Sequence, residues 1–188
     1  MSKTYVCDFK DMCYNEAISD VEEHMRKGYL SWLPAILIML IIFYFSSKPA
    51  SVSGESSLRI TEYIMKLYEN IADKQVAEEQ RADRLLLLEH YIRKLAHLTE
   101  YGLLAAAICL PLHDRRLRGR RLWLWSVLLS AAYAATDELH QRFVPGRSGE
   151  LKDVLIDTIG AALGALTFVL IAKAAEQIRK GRREVKSQ

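Results

Sequence analysis

The sequence predicts an all-α membrane protein: a bundle of about four transmembrane helices, with an extracytoplasmic amphipathic helical segment between the first and second. Three observations predict it. Apolar residues make up 51% of the 188 residues and charged residues 26%, yet the two kinds are segregated into long blocks, where a soluble domain would interleave them at helical or strand spacing. One block, Tyr29 to Phe45, holds no charge over 17 residues. The arginines cluster in short connections that fix an orientation.

That uncharged block is the first span, about residues 29–47. It is about 26 Å long as a helix, close to the roughly 30 Å of a hydrocarbon core. Trp32 and Tyr44 sit near its ends, as interfacial aromatics do, and Pro34 falls early enough to cost little. The mixed-charge residues 1–28 before it carry six acids and lack the short basic start of a secretory signal, so they read as a cytoplasmic segment ahead of a retained anchor. Residues 46–56 (Pro49, Ser51, Ser53, Gly54, Ser56) read as a loop. Residues 57–93 read as a helical insert, with Ile60, Ile64, Leu67, Tyr68 and Ile71 at helical spacing. This apolar stripe suits a helix lying on the membrane or on the bundle, and equally an ordinary soluble hairpin.

The remaining spans are about 94–112, 121–141 and 153–172. Each reaches spanning length only by taking polar residues into the membrane, where such residues face the bundle interior. The connection HDRRLRGRR between spans two and three has five arginines and one aspartate. The tail 173–188 is also basic. Both are expected on the cytoplasmic side, with both termini. Lys94, His97 and Glu100, then Asp137, Glu138 and Gln141, then Asp153 and Asp157 all fall at the outer ends of their spans. Three helices thus deliver ionisable groups to one depth.

Spacings of three and four put Arg93, Lys94, His97, Glu100 and Tyr101 along one helix face. Gly160 and Gly164 form a GxxxG pattern that permits close helix approach. Arg147, in the VPGRSGE turn, is placed to cap the site. His97 suits a general acid or base oriented by Glu100 or Asp137. Histidine with carboxylates also suits a divalent cation, while Arg93, Lys94 and Arg147 suit phosphate or carboxylate. The same groups inside a bundle also pair with one another simply to set helix register. Cys109 reads as a small core residue. Without GxSxG, HExxH, P-loop or GxGxxG, nucleotide-driven transport and the common intramembrane metalloprotease plan lose support. Nothing points to nucleic acid.

Three segments carry a resemblance: FYFSSKPAS, RKLAHLTEYGLL and TDELHQRFVPGRSGELKDVLIDTIGAALG. Their patterns are K-x-x-H-x-x-E-Y, D-E-x-x-Q-x-F-x-x-x-R and D-x-x-x-D-x-x-G-x-x-x-G. In these the chain resembles the VanZ-like family of bacterial membrane proteins across residues 30–172. The resemblance singles out Lys94, His97, Glu100, Tyr101, Asp137, Glu138, Gln141, Phe143, Arg147, Asp153, Asp157 and Gly160. It implies a multi-pass protein of the bacterial cytoplasmic membrane with a cell-envelope role, a contribution to resistance against the glycopeptide teicoplanin among the options, and supplies no reaction. The expected partners are membrane lipids, a lipid-linked cell-wall precursor or the glycopeptide. If the chain is an enzyme, His97, Glu100 and Asp137 are the catalytic candidates. Arg93, Lys94, Tyr101, Glu138, Gln141, Arg147, Asp153 and Asp157 are the ligand-binding ones. A binding or shielding protein and a small transporter are the rival functions.

Overall fold

The computed structural model describes residues 28–72 and 78–186; the expected cytoplasmic segment lies outside them except for its last residue. The described residues are helical with no strand. They form α1 (Leu33–Ser46), α2 (Ala50–Ala72), α3 (Glu78–Asp114), α4 (Gly119–Gln141) and α5 (Leu151–Lys186). Three helical stretches are long and apolar enough to cross a membrane: Gly28–Ser46, Gln80–Asp114 and Leu151–Glu184. Helix α4, which carries Thr136, Asp137 and Glu138 near its end, is not among them.

Helix α1 is apolar on every side but buries only Ala35, Ile42 and Ser46. Leu33, Ile36, Leu37, Leu40 and Phe43 stay exposed, which water would not tolerate in one contiguous surface and lipid does. Its buried stripe meets α3 and α4, and the Tyr133 hydroxyl donates to the Met39 carbonyl at 2.6 Å.

The ends alternate. Arg115, between α3 and α4, lies over the Trp32 ring at the start of α1, 5.9 Å from its centroid. Arg118 beside it pairs with Glu176 late in α5 at 3.5 Å. At the opposite end, the turn between α4 and α5 reaches the end of α1 through Arg147. Helices α1, α3, α4 and α5 therefore run alternately up and down.

The packing centre is the crossing of α3 with α5, and glycines make it possible. A Cβ on Gly160 would stand 2.2 Å from the Leu98 carbonyl oxygen, and one on Gly164 would stand 2.0 Å from that of Gly102. Helix backbones touch here, as the GxxxG spacing predicts. Tyr101, Leu104, Ala105, Ile108 and Cys109 from α3, with Ala161 and Ala165 from α5, form the adjoining core. Cys109 is buried there as expected, its thiol donating to the Ser126 hydroxyl at 3.1 Å.

One expectation is corrected, and two helices prove longer than the spans they contain. The segment 46–56 is a loop only as far as Pro49. Helix α2 starts at Ala50 and takes in Ser51, Ser53, Gly54 and Ser56, because Pro49 costs nothing at a helix start and the helix gains a packing partner in α3. Span two is the inner part of one 37-residue helix, about 55 Å long, so its first turns project beyond a bilayer. The basic tail continues α5 as helix to Lys186, exposed throughout Lys173 to Glu184. In the insert, α2 and the start of α3 form an antiparallel hairpin joined by Ser57–Glu89 at 2.6 Å and Arg81–Glu69 at 2.8 Å. The face of α2 that packs buries Thr61 and Met65. Ile60, Ile64, Leu67, Tyr68 and Ile71 remain exposed, so the stripe is not spent on the bundle.

Candidate functional site

The site follows from the glycine crossing. Leu98 and Gly160 touch through their backbones, so residues just before them on each helix, His97 and Asp157, face each other. His97 Nδ1 stands 3.7 Å from Asp157 Oδ1, too far for a hydrogen bond and within reach of an ion pair when the ring is protonated. One turn further out, Lys94 Nζ donates to Asp153 Oδ1 at 3.3 Å. Helix α4 closes against both. The Tyr101 hydroxyl donates to Asp137 Oδ2 at 3.3 Å, and Gln141 Nε2 donates to the same oxygen at 3.0 Å.

Pro145 and Gly146 make the turn that brings in the fourth wall. Gly146 has φ +76° and the Arg147 N–H donates to the Val144 carbonyl at 3.2 Å, the pattern of a type II turn. The Pro145 carbonyl then accepts from the Ala50 N–H at 3.2 Å. Arg147 donates through Nε to the Lys48 carbonyl at 3.0 Å, and through Nη2 to the Phe45 carbonyl and the Ser53 hydroxyl at 3.1 Å each. Burial first, then the charge of Arg93, pull this guanidinium below its ordinary pKa, against the opposing pull of Asp137, Glu138 and Glu100. A guanidinium still keeps its charge.

These walls enclose a cavity of about 350 Å³, at the small end of ligand pockets. Of the residues picked from sequence, Arg93, His97, Glu100, Asp137, Gln141, Arg147 and Asp153 line it. The other four lie behind the wall or beside it. Lys94 holds Asp153, Tyr101 holds Asp137, and Asp157 backs His97. Glu138 turns away, its Oε2 accepting the Glu150 N–H at 3.0 Å next to the start of α5, where an acidic acceptor is favourable. Phe143 is 80% exposed and outside the cavity. Sequence reasoning missed Ser46, Ser53, Ser56, Ser57 and Ser148, together with Ile42, Phe45, Ile60 and Ile92, which also line it. The helical spacing of Ser53, Ser56, Ser57 and Ile60 would have signalled a shared face had that stretch been read as helix.

Three polar atoms of the lining, Ser46 Oγ, His97 Nδ1 and Asp137 Oδ1, are buried without a hydrogen-bond partner, as are both oxygens of Asp157 behind it. A buried orphan of this kind costs about 1–3 kcal/mol, so each of these atoms calls for a partner. Among the described residues, no three His, Cys, Asp or Glu side chains converge as a metal site; the divalent-cation option lacks a ligand set.

Removing the Tyr101 hydroxyl tests the network. Tyr101→Phe leaves Asp137 with one donor and is expected to cost about 1 kcal/mol of stability. Denaturant unfolding of the purified variant reads this loss, and an unchanged midpoint would show that the contact carries no weight.

The VanZ/LLP1 family model matches residues 31–172. No curated protein and no solved structure matches the chain. The matched stretch contains α1 through the crossing glycines of α5, hence every wall of the cavity, and on it the chain belongs to the VanZ/LLP1 family.

Proposed function

We propose that this VanZ-like membrane protein binds the phosphate-bearing head group of an envelope lipid, or of a lipid-linked cell-wall intermediate, in the cavity at the outward end of its bundle. The observation that carries this reading is a lining that is amphipathic and polar-unsatisfied at once. Ile42, Phe45, Ile60 and Ile92 share it with Asp137, His97, Gln141 and five serines. Ser46 Oγ and Asp137 Oδ1 stand without partners in it. Phe45 is 56% exposed on the lipid-facing helix α1, so an acyl chain can lie along α1 while its head group enters between α3 and α4. Arg93, half exposed at the rim, and Arg147 supply positive charge for the phosphate. The volume admits a head group and not a whole glycopeptide, so a part in glycopeptide resistance runs through the bound lipid. Beneath Tyr101 the core is mainly Leu104, Ala105, Ile108 and Leu112, with the buried hydroxyls of Ser126 and Ser130 beside them, which makes transport the weaker reading. His97, backed by Asp157, is the imidazole on the cavity wall and takes the acid–base role in a catalytic version of the same site.

Lipid retention tests the reading. The wild-type protein, purified in mild detergent, is expected to carry a stoichiometric phospholipid or lipid-linked intermediate in native mass spectrometry. Ala96→Trp, which fills the cavity from its α3 wall, is expected to elute as a folded monodisperse species without it. Equal retention by both proteins would end the proposal.

We further propose that α4 crosses as the fourth span and that the termini are cytoplasmic, from the five arginines of the α3–α4 connection. In a background with Cys7, Cys13 and Cys109 replaced, Ser148→Cys should react with an impermeant maleimide on intact cells, and Arg116→Cys only after permeabilisation. The reverse pattern would put the cavity on the cytoplasmic side.

A further inference from the structure

Resting on that lipid-binding reading, we infer that the inner wall of the cavity is built for a primary ammonium group, so that the preferred ligand is a phospholipid whose head group carries an amine as well as its phosphate.

The cations around the cavity are anchored at its rim, on groups other than the inner carboxylates. Arg93 is bound to Glu89, and Lys94 pairs with Asp153. Arg147 directs Nε and Nη2 to two backbone carbonyls and a serine. The inner carboxylates are not compensated in the same way. Among the described residues, no lysine or arginine reaches ion-pair distance of Glu100, Asp137 or Asp157. Asp157 has only His97, at 3.7 Å. Asp137 has only the neutral donors Tyr101 and Gln141, both on Oδ2. Its Oδ1 has none, although the residue is 3% exposed and part of the cavity lining. Once the paired charges are set aside, two carboxylates of the lining, Glu100 and Asp137, with Asp157 behind them, share one guanidinium whose Nε and Nη2 are held by the turn.

A buried carboxylate without a cation is costly, and a ligand ammonium is the group that repays it. An ammonium offers three N–H donors. Asp137 Oδ1, Glu100 and the serine hydroxyls of the lining are the acceptors it would meet. A metal ion would supply the same charge, but the ligand set for one does not converge. An anionic head group without an amine would add charge of the same sign to the inner wall. The phosphate therefore belongs at the rim, with Arg93 and Arg147, and the amine belongs inside.

Short-chain phosphatidylethanolamine, phosphatidylglycerol and phosphatidylcholine, titrated calorimetrically into the detergent-solubilised full chain, separate the possibilities. Phosphatidylethanolamine is expected to bind about tenfold or more tightly than either of the others, the yield of one charge-assisted hydrogen bond. Methylating its nitrogen stepwise should weaken binding at each step, a series that needs no protein variant. In Asp137→Asn, phosphatidylethanolamine should lose its advantage over phosphatidylglycerol measured on the same variant. Equal or tighter binding of phosphatidylglycerol to wild type, abolished by Ala96→Trp, would overturn the ammonium inference and leave the lipid pocket standing. Failure of all three lipids to bind would overturn both.

Discussion

Gly164→Ala is expected to leave little folded protein. The added methyl would stand 2.0 Å from the Gly102 carbonyl oxygen, 2.5 Å from its carbon and 2.7 Å from its Cα. All three are backbone atoms inside a helix and cannot rotate away, so α3 and α5 must separate. That crossing is the most extensive packing among the described residues, and the His97–Asp157 and Lys94–Asp153 pairs span the same two helices. Overpacking a close-packed core commonly costs about 1–3 kcal/mol, and a rigid backbone clash belongs at or above the top of that range. The control is Gly181→Ala, on the exposed extension of α5, where a methyl meets nothing within 4 Å. It should be neutral or stabilise by up to about 1 kcal/mol, since glycine is a poor helix former. Thermal unfolding followed by size-exclusion chromatography reads both variants. A Gly164→Ala protein as stable as wild type would mean that the two helices do not cross at these glycines.

Arg147→Met should have the next largest effect, on the integrity of the cavity. The change deletes hydrogen bonds to the Phe45 and Lys48 carbonyls and to Ser53, leaving only Ala50 to Pro145 to hold the turn against the start of α2. Bonds from a charged donor contribute about 1.5–3 kcal/mol each when sheltered. With one of the three exposed, a total loss of about 2–4 kcal/mol follows. Arg147→Lys should recover only part of it, because an ammonium on a single stem cannot span the three acceptors as the planar fork does. Limited trypsin digestion at Lys48 should accelerate in Arg147→Met, and co-purifying lipid should fall. Unaltered digestion with lost lipid would show that Arg147 acts on the lipid through its charge alone and that its bonds do not hold the turn.

The reading of the sequence went furthest where physics is one-dimensional. A charge-free run such as Tyr29 to Phe45 has few places to go but lipid. The order of spans and arginine-rich connections put His97, Asp137 and Asp157 at the same end of three helices before any contact was known. The glycine spacing at 160 and 164 announced a close crossing. The chain is less legible where a local signal competes with a tertiary partner. Ser51, Ser53, Gly54 and Ser56 have loop composition, and only the chance to pack on α3 makes them helix. Glu138 and Asp137 are neighbours of the same chemistry, and a rotation of about 100° per residue sends one to the cavity and the other to the Glu150 N–H. Arg147 reads as a free anion clamp until the chain near Lys48, some hundred residues earlier, is seen to accept its bonds.

Hydropathy and charge order by themselves determined that this chain carries lipid-facing helices and that their ionisable residues meet at one end, because the bilayer penalises every alternative. Which carboxylates are satisfied, which cations are already spent and how large a space they surround were decided by the α3–α5 crossing and the turn at Gly146. Those depend on distances between residues far apart in the chain, which no local pattern encodes.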